Sequence, residues 1–248
     1  MNWKKDLREK DDAVSPVIAL MLILAILATC LAVYTTTYVP GLKQQDEITH
    51  SGEVKLAFER FASDIDNVIA LGKPAVYTEV LELGGGDVPL SPTKSSGTIE
   101  INTTVIGNYT VGSGEKNLTG IEISYLPSFT AWEKQGYLYK NGVVWITKEE
   151  KVTPAELKLY TIQHGTDRQN ETLQKWYPAS PADTVIIPQF TVDENKTEIT
   201  GTSTAKLRLN ATLSDTETNT VTVKLNDDSS WTYNANTVRF LNIEVSVE

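Results

Sequence analysis

The side chains whose type and spacing could do chemistry in this 248-residue chain are few. They are two histidines, one cysteine, some carboxylate pairs and six Asn-x-Thr triplets. His50 and His164 lie far apart and have no cysteine partner, so both read as surface residues and not as metal ligands. Asp193/Glu194 and Asp227/Asp228 could hold Ca²⁺, but neither has the loop spacing of a calcium site, and solvated acidic turns are the simpler account. Gly84-Gly85-Gly86 runs into Asp87 and not into a Lys-bearing helix start, which suits a flexible turn better than a phosphate loop. No serine-nucleophile elbow, Walker loop or zinc spacing appears. The expectation is a protein that is not an enzyme and needs no cofactor or metal.

The triplets are the one recurrent chemical signal. Asn102, Asn108, Asn117, Asn170, Asn195 and Asn210 each begin Asn-x-Thr without an intervening proline, which makes them acceptors for N-linked sugar. A threonine-rich β protein also makes such triplets cheaply. All six follow residue 100, and their use requires that this part of the chain lies outside the membrane.

A membrane is implied by the other end. A charged stub gives way at Ala13 to an uncharged, largely apolar run of about 22 residues ending at Tyr34. As a helix this spans about 33 Å, enough for a bilayer core of roughly 30 Å. No Asp, Glu, Lys or Arg occurs between Ala13 and Leu42. The run is too long for the apolar region of a secretory signal. Leu27-Ala28-Thr29-Cys30 sits near a lipidation-type sequence, but Thr29 fits poorly there, and Cys30 reads as a small buried residue inside the anchor. Lys4, Lys5, Arg8 and Lys10 crowd the short side, with Lys43 sparser beyond, which places the N-terminus in the cytoplasm and the bulk outside. The first twelve residues carry four basic and four acidic side chains, so the net charge of −10 belongs to the external part. Such a surface repels phosphates, and nucleic acid is excluded as a partner.

The segment Lys10-Asp11-Asp12-Ala13-Val14-Ser15-Pro16-Val17-Ile18 resembles the N-terminus of archaeal type IV pilin-like proteins, with their class III signal. The resemblance covers Lys10–Tyr34, about a tenth of the chain. It implies cleavage by a prepilin peptidase after Asp12 and Ala13, leaving Val14 as the new N-terminus. It also implies assembly with copies of itself or other pilins by an ATPase-driven machine. Val17, Ile18, Leu20, Leu24, Leu27 and Leu31 would form the assembly face. Two departures are Ala19, where the family often has Gly, and Ile18, which leaves no buried glutamate at the fifth mature position. Pro16 suits a helix start, where its missing N–H is not needed.

The elements follow from periodicity. After an expected kink at Pro40-Gly41, Val54, Ala57, Phe58, Phe61, Ile65, Val68 and Ile69 recur at spacings of three and four, with Glu53, Lys55, Glu59, Arg60, Asp64 and Asp66 opposite. Gly72 and Pro74 stop this helix. From there the chain reads as β: Val76–Leu83, Thr98–Val105, Gly120–Leu126, Thr184–Phe190, Ala205–Leu213, Thr220–Leu225 and Val238–Val247. Asn141-Gly142 between Tyr137–Lys140 and Val143–Ile146 is a hairpin signal. Pro154–Tyr177 reads as a helical or irregular excursion. Trp132, Trp145, Trp176 and Trp231 fit either carbohydrate contact or a sandwich core. The expected class is α+β: a leader over 1–13, a transmembrane and assembly helix over 14–38, an amphipathic helix over 42–71 and a mainly antiparallel, sandwich-like domain over 72–248. The filament subunit competes with a membrane-anchored extracellular binding module that never polymerises. The two differ at the Ala13–Val14 bond.

Overall fold

The structure is a computed structural model. It describes residues 3–85, 88–91, 93–148, 151–155, 170–177, 184–215, 220–226, 230–234 and 237–248, without the side chains of 3–15, Pro154, Asp215, Trp231, Tyr233, Asn234 and Thr237. The chain is α+β, a long N-terminal helical segment followed by a mostly antiparallel β domain.

Helix α1 (Trp3–Val33) passes without a break through a π-helical turn (Tyr34–Tyr38) into α2 (Val39–Leu71). The helix is continuous through Pro40-Gly41, where a kink is expected. Pro40 follows directly on the π turn, whose last bond runs from the Val39 N–H to the Tyr34 carbonyl, and that turn takes up the irregularity a proline without an N–H brings to a continuous helix. Thr35 and Thr36 reinforce the junction, their hydroxyls donating to the carbonyls of Leu31 and Ala32 at 3.0 and 2.7 Å. The stop at Gly72 is as expected: it is left-handed, φ +58°, and its N–H bonds the Val68 carbonyl at 2.9 Å.

Twelve strands follow among the described residues. They are β1 (Ala75–Glu82), β2 (Ser96–Val111), β3 (Gly114–Ser128), β4 (Gln135–Lys140), β5 (Val143–Lys148), β6 (Lys151–Pro154), β7 (Thr184–Val192), β8 (Glu198–Gly201), β9 (Thr204–Asp215), β10 (Thr220–Leu225), β11 (Ser230–Asn234) and β12 (Thr237–Val247). A helical turn, α3, spans 170–176 between β6 and β7. One sheet runs β1-β9-β12-β7, and the other runs β11-β10-β2-β3-β4-β5-β6, with β8 also on β2. Among the described residues the single parallel pair is β12 with β7. The Asn141-Gly142 hairpin forms as expected, both residues at positive φ.

The expected strand Thr98–Val105 runs on to Val111. A bulge between Val105 and Gly107 shifts the register with β3 inside this longer strand. Gly107 is required there, because a Cβ would lie 2.1 Å from the Lys224 carbonyl oxygen. The two sheets share one core, with Ile99, Ile101, Ile121 and Ile123 from one and Leu207, Leu209, Ile243 and Val245 from the other. Helix α2 packs against β1 and β9 of the first sheet and β4 and β5 of the second, so it closes the sandwich along one side.

Candidate functional site

The feature that sets this chain apart is a helix that its own fold leaves bare. From Val17 to Val33 every large apolar side chain of α1 is more than half exposed, including Met21, Leu22, Ile23 and Ile26. The 18-residue window at its heart has a mean hydropathy of 2.8. The helix is long and apolar enough, by length and composition, to cross a membrane. A helix greasy all round belongs in lipid or among other helices and not on a soluble surface. Val17, Leu20, Leu24, Leu27 and Leu31 line one side and Ile18 falls off it. The residues around them are as apolar and as exposed, so no single stripe is singled out. Cys30 is exposed on the same helix, like its apolar neighbours. Backbone helix covers Asp12, Ala13 and Val14, whose side chains lie outside the described residues.

Helix α2 holds this bare helix to the domain through two chemically different halves. The second half is apolar: Val54, Ala57, Phe58, Phe61, Ile65 and Val68 are all buried in the common core, as their spacing predicts, and Ile69 packs against it. The first half is a buried polar seam. Lys43, Glu47, His50 and Ser51 continue the same face in steps of three and four, and none is more than 4 % exposed. Lys43 Nζ donates to the carbonyl and hydroxyl oxygens of Thr93 at 2.6 and 2.7 Å. Ser51 Oγ meets Tyr137 Oη at 2.9 Å.

Glu47 is the most heavily tied. Its carboxylate accepts the Ser95 hydroxyl, the N–H groups of Thr130 and Ala131 (both 2.9 Å) and the Thr130 hydroxyl at 3.3 Å. Burial pushes its pKa up, but these donors together hold it below the usual carboxylate value. Asp64 and Asp66, farther along α2, are raised by burial; Trp176 donates its indole N–H to Asp66 at 3.0 Å, which only partly offsets this.

His50 corrects the expectation of a surface residue. It is 4 % exposed, edge-on to Tyr125 and Phe129. Tyr125 spends its only hydroxyl hydrogen on the Leu83 carbonyl at 3.0 Å, so His50 Nε2 must be the donor in its 3.0 Å contact with Tyr125 Oη. The neutral ring is therefore protonated at Nε2. Burial lowers its pKa against the upward pull of Glu53, Glu82 and Asp46 and of the Leu83 backbone. A lowered folded value means that the neutral form is the one the fold favours. Stability is then complete above the usual value of 6.5 and falls as pH drops through 6.5 toward the lowered value. Denaturant titrations of the full chain in detergent at pH 7.5 and 5.5 (choices bracketing the His reference value of about 6.5) are expected to show a loss in the wild type that His50→Gln lacks. An equal loss in both would remove His50 as the cause.

The other sequence candidates are scattered. Asn102, Asn117 and Asn195 are exposed, while Asn108, Asn170 and Asn210 are half-buried, so no acceptor is in the core. Trp145 and Trp176 are core residues and Trp132 is half-buried under Lys148, 5.9 Å from its ring centre. The side chain of Trp231 lies outside the described residues, as do His164, Asp227, Asp228, Gly86 and Asp87. Gly84 and Gly85 are packed tightly and do not simply make a loose turn, since a Cβ on Gly84 would lie 2.3 Å from the Ser95 carbonyl oxygen. Asp193 caps its own turn by accepting the Asn195 N–H at 3.1 Å. Among the described residues no group of three or more His, Cys, Asp or Glu could hold a metal ion. A recess of about 380 Å³ beside the seam is lined by Asp46, Glu82, Lys94 and the 202–204 turn.

Sequence reasoning missed the seam because polar residues were read as solvent-facing. Val39, Lys43, Glu47, Ser51 and Val54 continue the buried face at steps of four, four, four and three, but that spacing alone does not tell a buried polar residue from an exposed one. No protein-family model, curated protein or solved structure matches this chain.

Proposed function

We propose that the chain is a non-enzymatic structural subunit of an archaeal type IV pilus-like surface filament, assembled through α1. The observation that carries this reading is the bare apolar helix joined without a break to a helix fixed in the domain's core. Any force applied along α1 reaches the domain through α2 and not through a flexible linker. The N-terminal signal resemblance supplies the processing step. A prepilin peptidase cleaves Ala13–Val14 on the cytoplasmic side and removes the charged stub. The freed helix leaves the bilayer and packs among copies of itself or other pilins, driven by an assembly ATPase. The acidic, sugar-bearing β domain faces outward.

Intact mass and N-terminal sequencing of protein from the native cells test this directly. The expected chain begins at Val14 and carries glycan mass. A chain beginning at Met1 would overturn the filament reading and leave an anchored extracellular binding module. Loss of everything before Cys30 would indicate lipidation instead.

A further inference from the structure

The register of the second sheet brings two of the six sugar acceptors face to face. Asn108 on β2 is the direct partner of Asn117 on β3, near the tight turn at Gly112-Ser113. Tyr109 and Leu118, next along each strand, are buried in the core, so both asparagines stand on the outer face. Side chains directly opposite one another in an antiparallel pair have Cβ atoms about 5 Å apart. A pyranose ring with its hydroxyls is wider than that gap, and each Asn amide reaches only two bonds beyond its Cβ.

The two sites are not equivalent. Asn108 is hemmed in on both sides, with Lys224 of β10 opposite it on one and Asn117 on the other. It is half-buried, and its amide donates to Glu115 Oε1 at 2.6 Å. Asn117 is exposed, and β3 does not begin to pair with β4 until Glu122, so that strand does not flank it. Its amide can turn away from the sheet.

We infer that Asn108 and Asn117 form one glycan site and not two, in which Asn117 takes the sugar and Asn108 stays bare while Asn117 is occupied. The inference rests on the reading above that this domain lies outside the membrane and is glycosylated. The chemistry is ordinary transfer from a lipid-phosphate-linked glycan. The Asn Nδ2 forms a bond to the anomeric carbon, the bond from that carbon to phosphate oxygen breaks, and Nδ2 loses one proton. Nothing is oxidised or reduced.

Site occupancy in full-length protein from the native host is the test. Trypsin separates the two asparagines by cutting after Lys116, and Asp-N leaves both on one peptide. The expected pattern is Asn117 modified and Asn108 bare. In Asn117→Gln and, separately, Asn117→Asp, Asn108 is expected to go from near absence to modification in most molecules, while Asn102 is unchanged. The Asp-N peptide also holds Asn102, so fragmentation that places sugar on both Asn108 and Asn117 of one peptide would overturn the inference, and so would an Asn108 that stays bare in both variants. If the Asn102, Asn170, Asn195 and Asn210 peptides are bare as well, the glycosylation reading itself fails and takes the inference with it.

Discussion

Replacing Phe58 with alanine is expected to destabilise the domain by about 3–5 kcal/mol. Phe58 is 1 % exposed, belongs to the core shared by both sheets, and tilts against the Tyr137 ring at 6.2 Å between centroids. An aromatic pair of this kind contributes a further 0.5–1.5 kcal/mol, roughly, beyond area burial. The cavity forms where the rigid sheets and the helix meet, and none of the three can collapse into it without shifting the others. Leu56 lies two residues away on the outer side of α2 and is 51 % exposed. Leu56→Ala is the matched control, expected to change stability by no more than about 0.5 kcal/mol. Thermal and denaturant unfolding of both variants in detergent would measure the difference. Equal, small losses would mean that α2 is a passive tether and not part of the core.

Glu47→Ala is expected to cost about 3 kcal/mol, although it deletes a charge and not an apolar group. The carboxylate is 0 % exposed, and its loss leaves the N–H groups of Thr130 and Ala131 and the Ser95 hydroxyl without their acceptor. Each buried donor left unmet costs about 1–3 kcal/mol, reduced where water enters the gap. Glu47→Gln keeps one acceptor oxygen but turns an NH₂ group toward donors, so it is expected to lie between wild type and alanine. Acid adds a second readout. Because the folded pKa is held below the usual 4.5, the contribution of Glu47 is complete above that value and disappears as pH falls through the lowered one. The alanine variant should lack this acid-dependent step. A Glu47→Ala chain as stable as wild type at pH 7 (near neutrality, well above the carboxylate range of about 4) would show that the seam does not fix α2 to the domain.

These two variants probe the two halves of α2, and the halves differ in how far the sequence revealed them. The apolar half was legible residue by residue, because hydrophobic spacing of three and four is a local property of a helix. The same holds for the bare length of α1, for the left-handed stop at Gly72 and for the Asn141-Gly142 turn, where a few adjacent residues set the geometry. The polar half was not legible. Whether Lys43, Glu47, His50 and Ser51 face water or protein depends on Thr93, Ser95, Tyr125, Thr130, Ala131 and Tyr137, which lie about fifty to ninety residues away and meet them only in the folded domain.

The sheet divides in the same manner. Alternation of β-branched residues marks most strands, but the expected Thr98–Val105 is shorter than β2, whose continuation to Val111 passes a bulge that only pairing with β3 defines. The parallel pairing of β12 with β7 and the meeting of Asn108 with Asn117 were likewise invisible in the linear chain. The sequence by itself determined the elements governed by neighbours along the chain: the apolar helix, the stop at Gly72, the Asn141-Gly142 turn and the β character of the domain, though not the helix start, since Pro16 lies inside α1. Only the tertiary structure decided which polar groups are buried and which acceptors share a surface, because burial and register are set by contacts between distant segments, and a period along one strand does not encode its partner.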